Sequence, residues 1–78
     1  MPPEYINILS IINEKEGLNL FDILYEYQEH KFKPANNTKT MNRKIFTLTQ
    51  SKVLRFVEGK DKTYFLTEKG KQILTKGN

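Results

Sequence analysis

The chain has 78 residues, of which 37% are hydrophobic and 28% are charged, and this is the size of one small domain. It has no cysteine, which excludes disulfides, thiolate metal sites and cysteine nucleophiles. Its longest apolar runs are pairs and triplets, far short of the ~20 residues that a membrane span needs, and no basic segment precedes an apolar one as in a signal peptide. We therefore expect a single cytoplasmic domain over residues 1–78, without membrane contact.

Side chains suited to catalysis are sparse. His30 is the only histidine, and its place near a predicted helix end favours a role at the negative pole of the helix dipole. Ser10 and Ser51 have no neighbouring base, and Glu14 and Glu16 are two residues apart on a predicted helix and so face apart. We predict no catalytic site, no metal site and no cofactor, and therefore not an enzyme.

Charge is distributed unevenly along the chain. Thirteen Lys and Arg residues against nine Asp and Glu give a net charge of +4. Residues 1–30 carry six acids and one base, a net −5, whereas residues 31–78 carry twelve bases and three acids, a net +9. A basic face would attract polyanions, of which nucleic acid is the commonest in a cell. The alternative is a lysine-rich surface that is only solvated. The positions of the Lys and Arg residues in the fold must decide between these two interpretations.

Apolar spacing predicts two helices in the acidic half. The first helix is predicted over residues 4–16, where Tyr5, Ile8, Leu9 and Ile12 follow the i, i+3, i+4, i+7 spacing of one helix face. Gly17 suits a left-handed helix end, and Leu18 can add one extended position. The second helix is predicted from about 20 to about 30, with Asn19 as its N-cap. Its apolar face is formed by Leu20, Ile23, Leu24 and Tyr27.

A third helix is predicted over about 38–51. Pro34 and the polar residues after it indicate a turn, and either Asn37 or Thr38 can cap the helix that follows. The i, i+4, i+7 spacing of Met41, Ile45 and Leu48 defines its buried face. The opposite side carries Lys39, Arg43, Thr47 and Gln50, with Phe46 on its flank.

A β-hairpin and a short helix are predicted to complete the chain. From about 53 to 66 the apolar pattern alternates, with a hairpin tip at residues 58–62 in which Gly59 would take a left-handed conformation. On the returning strand, Tyr64 and Leu66 share one face. Thr67 then caps a last helix from 68 to about 75.

This order of elements resembles a winged helix-turn-helix domain, and two stretches resemble MarR-like and PadR-like regulators in their residues. The first runs from Thr40-Met41-Asn42-Arg43-Lys44-Ile45 through Leu48 to Val53-Leu54 and resembles a recognition helix with the first wing strand. The second, Tyr64-Phe65-Leu66-Thr67-Glu68-Lys69-Gly70, is similar to the Tyr-x-Leu-Thr-x-x-Gly signature that closes the wing, in which the glycine permits close packing. The resemblance implies an α+β, mainly α fold with a three-helix core, a two-stranded wing and a short C-terminal helix.

Two features differ from the family pattern. The family usually has glycine just before the first wing strand, where this chain has Lys52. We therefore expect either a less tight exit from helix 3 or a less common backbone conformation at Ser51 or Lys52. The segment that joins helices 2 and 3, residues 30–37, is also longer than the usual three or four residues.

The resemblance implies sequence-specific binding of double-stranded DNA by a transcriptional regulator. Helix 3 would enter the major groove, and the wing would lie on the backbone or in the minor groove. The candidates for reading bases are Thr40, Asn42, Arg43, Thr47 and Gln50. The candidates for phosphate and wing contacts are Lys33, Lys39, Lys44, Lys52, Arg55, Lys60 and Lys62.

So small a domain makes few base contacts, so a homodimer on a palindromic site is expected. Helix 1 and the last helix could supply the dimer surface, through Tyr5, Ile6, Ile11 and Leu74, although Ile6 and Ile11 could equally complete the core. A second interpretation of the whole chain is a winged-helix protein-interaction module, whose acidic half binds a partner and whose basic half is incidental.

Overall fold

The structure is a computed structural model that describes residues 1–76; residues 77 and 78 of the predicted domain lie outside the described part. Its elements, in chain order, are α1 (Pro3–Glu14), α2 (Leu20–Glu29), α3 (Thr38–Gln50), β1 (Leu54–Val57), β2 (Thr63–Leu66) and α4 (Glu68–Thr75). This order is the predicted one. The first helix ends two residues earlier than predicted. None of the helices between residues 1 and 76 is long and apolar enough to cross a membrane.

The predicted starts of α2, α3 and α4 are confirmed by side-chain caps. The side chain of Asn19 accepts a hydrogen bond of 2.8 Å from the backbone N–H three residues on. Asn37, one of the two candidates for α3, accepts one of 2.8 Å from the N–H of Thr40, whose hydroxyl accepts the N–H of Asn37 in return at 2.9 Å. The hydroxyl of Thr67 accepts the N–H of Gly70 at 3.2 Å. Each cap satisfies N–H groups that a helix start leaves without a partner.

The hydrophobic core lies between α1, α2, α3 and the base of the hairpin. α1 packs against α2, β2 and α4, while α3 packs against α2 and β1. The core side chains are Ile8, Leu9, Ile11, Ile12, Ile23, Tyr27, Met41, Ile45, Leu48, Val53, Leu54, Tyr64 and Leu66. Ile11 is among them, which agrees with the alternative that it completes the core. Tyr5, Ile6 and Leu74 are half-buried.

The two strands form an antiparallel ribbon, the wing. Leu54 pairs with Leu66, and Phe56 pairs with Tyr64, so these four side chains share the ribbon face that meets the core. The predicted left-handed conformation of Gly59 at the wing tip is wrong, because its φ lies outside that region. Residues 58–62, which join the two strands, therefore turn without a left-handed glycine.

The free edge of β2 is held by the segment between α1 and α2. Leu18 forms an isolated antiparallel bridge with Tyr64, as the predicted extended position allows. The N–H of Tyr64 donates to the carbonyl oxygen of Leu18 at 2.9 Å, and the N–H of Gly17 donates to the carbonyl oxygen of Tyr64 at 3.0 Å. Gly17 has φ 89°, the left-handed conformation that was predicted and that glycine adopts readily.

The two departures from the family pattern have structural counterparts. Lys52 has φ 66°, so the chain exits α3 through a residue in the left-handed conformation. This is one of the two predicted alternatives. The long segment before α3 is held by Tyr27, whose hydroxyl donates to the carbonyl oxygen of Pro34 at 2.8 Å. The amide of the buried Asn36 donates to the same oxygen at 3.2 Å. These bonds order the segment that positions the start of α3.

Candidate nucleic-acid interface

The face of α3 that points away from the core is polar and basic. Its exposed residues are Lys39, Asn42, Arg43, Phe46, Thr47 and Gln50. At about 100° per residue, Lys39, Arg43 and Gln50 lie near the centre of this face, opposite Met41. Asn42 and Phe46 lie on the side toward the wing, and Thr47 lies on the other side.

The five candidates for reading bases differ in what their polar atoms already bind. The hydroxyl of Thr40 belongs to the cap of α3, and that of Thr47 donates to the carbonyl oxygen of Arg43 at 3.1 Å. The side chains of Asn42, Arg43 and Gln50 make no hydrogen bond or ion pair with any described residue. These three therefore offer the full donor and acceptor capacity of their end groups to a ligand.

Lys44 lies in a different environment from the other predicted phosphate contacts. Its ammonium forms an ion pair with the carboxylate of Glu4 on α1 and donates to Oδ1 of Asn36 at 2.6 Å. Its side chain is only 18% exposed. Lys44 thus ties α3 to α1 and to the segment before α3, which argues against the phosphate contact predicted for it. The partners are 40 and 8 residues away in sequence, and the local pattern gave no sign of them.

The basic side chains of the wing lie on two different faces. The ammonium of Lys62 lies over the ring of Phe56, 4.6 Å from its centre, on the ribbon face that continues toward α3. The guanidinium of Arg55 lies over Phe65, also at 4.6 Å, on the opposite face. Such cation–π contacts hold the long side chains in place. The predicted wing set is therefore not one continuous surface.

The remaining predicted phosphate contacts are exposed. Lys39 is in the first turn of α3, Lys52 follows its last turn, and Lys60 lies at the tip of the wing. Lys33 lies in the segment between α2 and α3. Lys39 and Lys52 therefore stand at the two ends of the helix that offers Asn42, Arg43 and Gln50.

A groove of about 430 Å³ runs between α3 and the wing. Its lining includes Asn42, Phe46 and Gln50 from α3, together with Lys52, Phe56 and Lys62. The described residues that line it include two lysines and no acid. Asp61 lines a smaller depression that adjoins it at Asn42 and Lys62. The groove thus combines a positive charge with exposed aromatic rings.

Tyr64 closes the bottom of this groove. Burial raises the pKa of its hydroxyl above the ordinary value of 10.0, and the charge of Glu58 adds to the effect. The phenol is therefore neutral at physiological pH. Among the described residues, no group of three or more His, Cys, Asp or Glu side chains could hold a metal ion.

Sequence reasoning left Phe46 out of the candidate site and placed it only on the flank of the helix. Its side chain is 60% exposed and lines the groove. The signal was present in the sequence, since a large apolar residue opposite a helix's buried stripe has no core to enter.

No protein-family model and no curated protein matches the sequence. Among solved structures, the chain is similar to Bacillus subtilis PadR in complex with operator DNA, with a TM-score of 0.79 and 25% identity. The match covers 97% of this chain and 46% of the PadR chain, so this chain spans about half of PadR. It is also similar to F-93 of SSV1, with a TM-score of 0.75, 22% identity and coverage of 97% and 82%.

Both matches extend over the three-helix core, the wing and the last helix. The element order, the Thr67 cap and the tight packing at Gly70 agree with the resemblance found in the sequence. The chain is therefore a winged helix-turn-helix domain, mainly α within the α+β class, and is similar in structure to PadR.

Proposed function

We propose that this domain binds double-stranded DNA sequence-specifically and acts as a small transcriptional regulator. α3 would enter the major groove, and the wing, residues 53–66, would follow the backbone or the adjacent minor groove. The observation that carries the proposal is the exposed face of α3, with the unengaged ends of Asn42, Arg43 and Gln50 beside a groove lined with lysine. The similarity to PadR, solved in complex with operator DNA, supports it.

The residue types on α3 suit base recognition. The guanidinium of Arg43 can donate two hydrogen bonds to O6 and N7 of guanine, and the amides of Asn42 and Gln50 can each pair with N6 and N7 of adenine. Thr40 and Thr47 are weaker candidates, since each would have to share a hydroxyl that already serves the helix.

Phosphate contacts would come mainly from Lys39, Lys52, Lys60 and Lys62. Lys39 and Lys52 flank α3, so they would meet the backbone on either side of the major groove. Arg55 would reach a phosphate only from the outer face of the wing, and Lys33 only from the segment before α3. Lys44 would first have to leave Glu4.

We further propose that the domain acts as a homodimer on a palindromic site, since a single α3 reads only a few base pairs. The half-buried Tyr5 and Ile6 on α1 and Leu74 on α4 are the apolar candidates for the contact. Sedimentation equilibrium of the free protein gives its mass. A strictly monomeric protein, both free and on DNA, contradicts this part of the proposal.

Selection from a random duplex pool, followed by titration of the enriched sequence at several salt concentrations, tests DNA binding. We expect a palindromic enrichment and an affinity that falls steeply between low and moderate salt, because phosphate contacts release counterions. A folded protein that binds no duplex at low salt contradicts the proposal and favours the protein-interaction module.

A further inference from the structure

Phe46 is an apolar side chain in a place where the fold does not need one. It lies about 140° around α3 from the buried Met41, and 60% of it is exposed. Among the described residues it is the one large hydrophobic side chain exposed on α3. A ring held in water on the wing side of a polar helix face gains free energy when a partner covers it.

The neighbours of Phe46 indicate which chemistry would cover it. Asn42 and Gln50 lie one helical turn before and after it, so the three side chains form one ridge along the groove. Their amides match the adenine edge in the major groove. Lys52 and Lys62 line the same groove, which gives it the charge that a phosphate backbone complements.

We propose that Phe46 is a specificity residue that reads thymine through the 5-methyl group. This inference rests on the proposed DNA binding by α3. The thymine methyl is the distinct apolar group that the base pairs present in the major groove, and a phenyl ring is one of the side chains that can contact it. With Asn42 and Gln50 reading adenine, the ridge selects A·T base pairs, whereas Arg43 beside it selects guanine.

Replacing thymine by deoxyuridine tests this directly, because uracil pairs with adenine in the same way and lacks only the methyl group. Each thymine of the selected operator is replaced in turn, and affinity is measured by fluorescence anisotropy. We expect the wild-type protein to bind about fourfold more weakly at one or two positions, the loss for one buried methyl-sized group. Phe46→Ala should bind thymine and uracil equally at those same positions.

Tyr25→Ala is the matched control. Tyr25 is exposed to nearly the same extent as Phe46, 59% against 60%, but lies on α2 outside the groove. This variant should keep the full sensitivity to uracil. Because both side chains are exposed, both variants should fold, and circular dichroism with a thermal melt verifies this.

Four outcomes would overturn the inference. The first is wild-type affinity unchanged by every uracil, and the second is an equal loss in wild type and Phe46→Ala. The third is an operator without conserved A·T pairs. The fourth is a change in the mass of the free protein in Phe46→Ala, which would make this face an interface between copies. A pool that yields no enriched sequence instead removes the proposed function itself, and the inference with it.

Discussion

Gly70 of α4 packs directly against the backbone of Val53, so that a Cβ at Gly70 would stand 2.5 Å from the carbonyl oxygen of Val53. That oxygen cannot move away freely, because it accepts a hydrogen bond of 3.1 Å from the backbone N–H of Thr67. We predict that Gly70→Ala lowers the free energy of unfolding by about 1 to 3 kcal/mol. Helix propensity alone would predict a gain of about 1 kcal/mol.

Gly59→Ala is the control for that measurement by urea unfolding. Gly59 is not left-handed, and a Cβ there would meet only the carbonyl oxygen of Asp61, at an ordinary 3.6 Å. We expect a neutral or slightly stabilising change, since alanine restricts the unfolded chain. A stable Gly70→Ala protein would mean that α4 can shift away from Val53 at little cost.

Lys52 combines a strained backbone with a place in the groove. Its φ of 66° costs a residue with a Cβ roughly 1 to 2 kcal/mol. Lys52→Gly should therefore raise the free energy of unfolding by about 0.5 to 1 kcal/mol, because added freedom in the unfolded chain offsets part of the gain. The same variant should weaken DNA binding and lower its salt dependence, because a phosphate contact is lost.

Lys31→Gly separates the two effects, since Lys31 has a similar φ of 56° and lies in the segment between α2 and α3. Chemical unfolding should give a similar gain in stability. If Lys52→Gly gained no stability while Lys31→Gly did, the left-handed residue at the end of α3 would be unstrained.

Lys44 and Lys39 should differ in DNA binding although both are lysines of α3. Lys39→Met should reduce the slope of log affinity against log salt by about 0.9, the value for one phosphate contact. Lys44→Met should leave the slope unchanged. It should instead cost about 1 to 3 kcal/mol of stability, since it leaves the buried Asn36 without its donor. Equal loss of slope in both variants would restore the phosphate contact predicted for Lys44.

Arg43→Ala should weaken binding to the selected operator by about 1 to 3 kcal/mol and relax specificity at one position. Titrations against the operator and against single-base variants of it measure both quantities. Thr47→Ala is the control from the neighbouring turn, with a much smaller expected effect. Equal loss by Arg43→Ala on all sequences would make Arg43 a phosphate contact rather than a base reader.

Stability should fall at alkaline pH because of two tyrosines. Burial is the main cause that raises the pKa of both Tyr27 and Tyr64 above the ordinary 10.0. The unfolded chain therefore loses these protons first as pH rises. The stability linked to them is complete below pH 10 and is lost as pH rises through the raised values. Urea unfolding at a series of pH values should show this decline begin near pH 10.

Tyr64→Phe should make the decline shallower with little cost at neutral pH, because within the described residues the Tyr64 hydroxyl has no hydrogen bond to lose. Tyr27→Phe should also make it shallower, but at a cost of about 1 kcal/mol at pH 7, since its 2.8 Å bond to Pro34 is lost. An unchanged alkaline profile in both variants would assign the decline to other groups.

Local patterns predicted most of the fold. The apolar spacing around Ile8 and Met41 and the caps at Asn19 and Thr67 each act within one or two helical turns, so the sequence displays them directly. The left-handed exit at Lys52 was one of two alternatives that the missing glycine allowed. The prediction of a left-handed Gly59 was wrong because a five-residue tip can turn in several backbone conformations, and only some of them use a left-handed glycine.

The candidate site was less predictable because side-chain partners can be distant in sequence. Lys44 looked like its neighbours on α3, yet Glu4 forty residues earlier binds it. Alternation indicated that Arg55 faces away from Leu54, but only the fold places Lys62 and α3 on the same side of the wing. The groove beside Phe46 exists because the wing lies alongside α3. No local sequence pattern indicates how close the wing and α3 come to each other.

The bridge between Leu18 and Tyr64 holds the wing along most of its length, so that only its outer end is free to bend. Tyr64 is paired with Phe56 on one side and held by Gly17 and Leu18 on the other, so the ribbon is clamped at that level by three chain segments. Beyond the clamp extend only the pair of Val57 with Thr63 and the five-residue tip. Bending in response to a bound duplex would thus be confined to this outer pair and the tip, which carries Lys60 and Lys62, although the ammonium of Lys62 reaches back over the ring of Phe56.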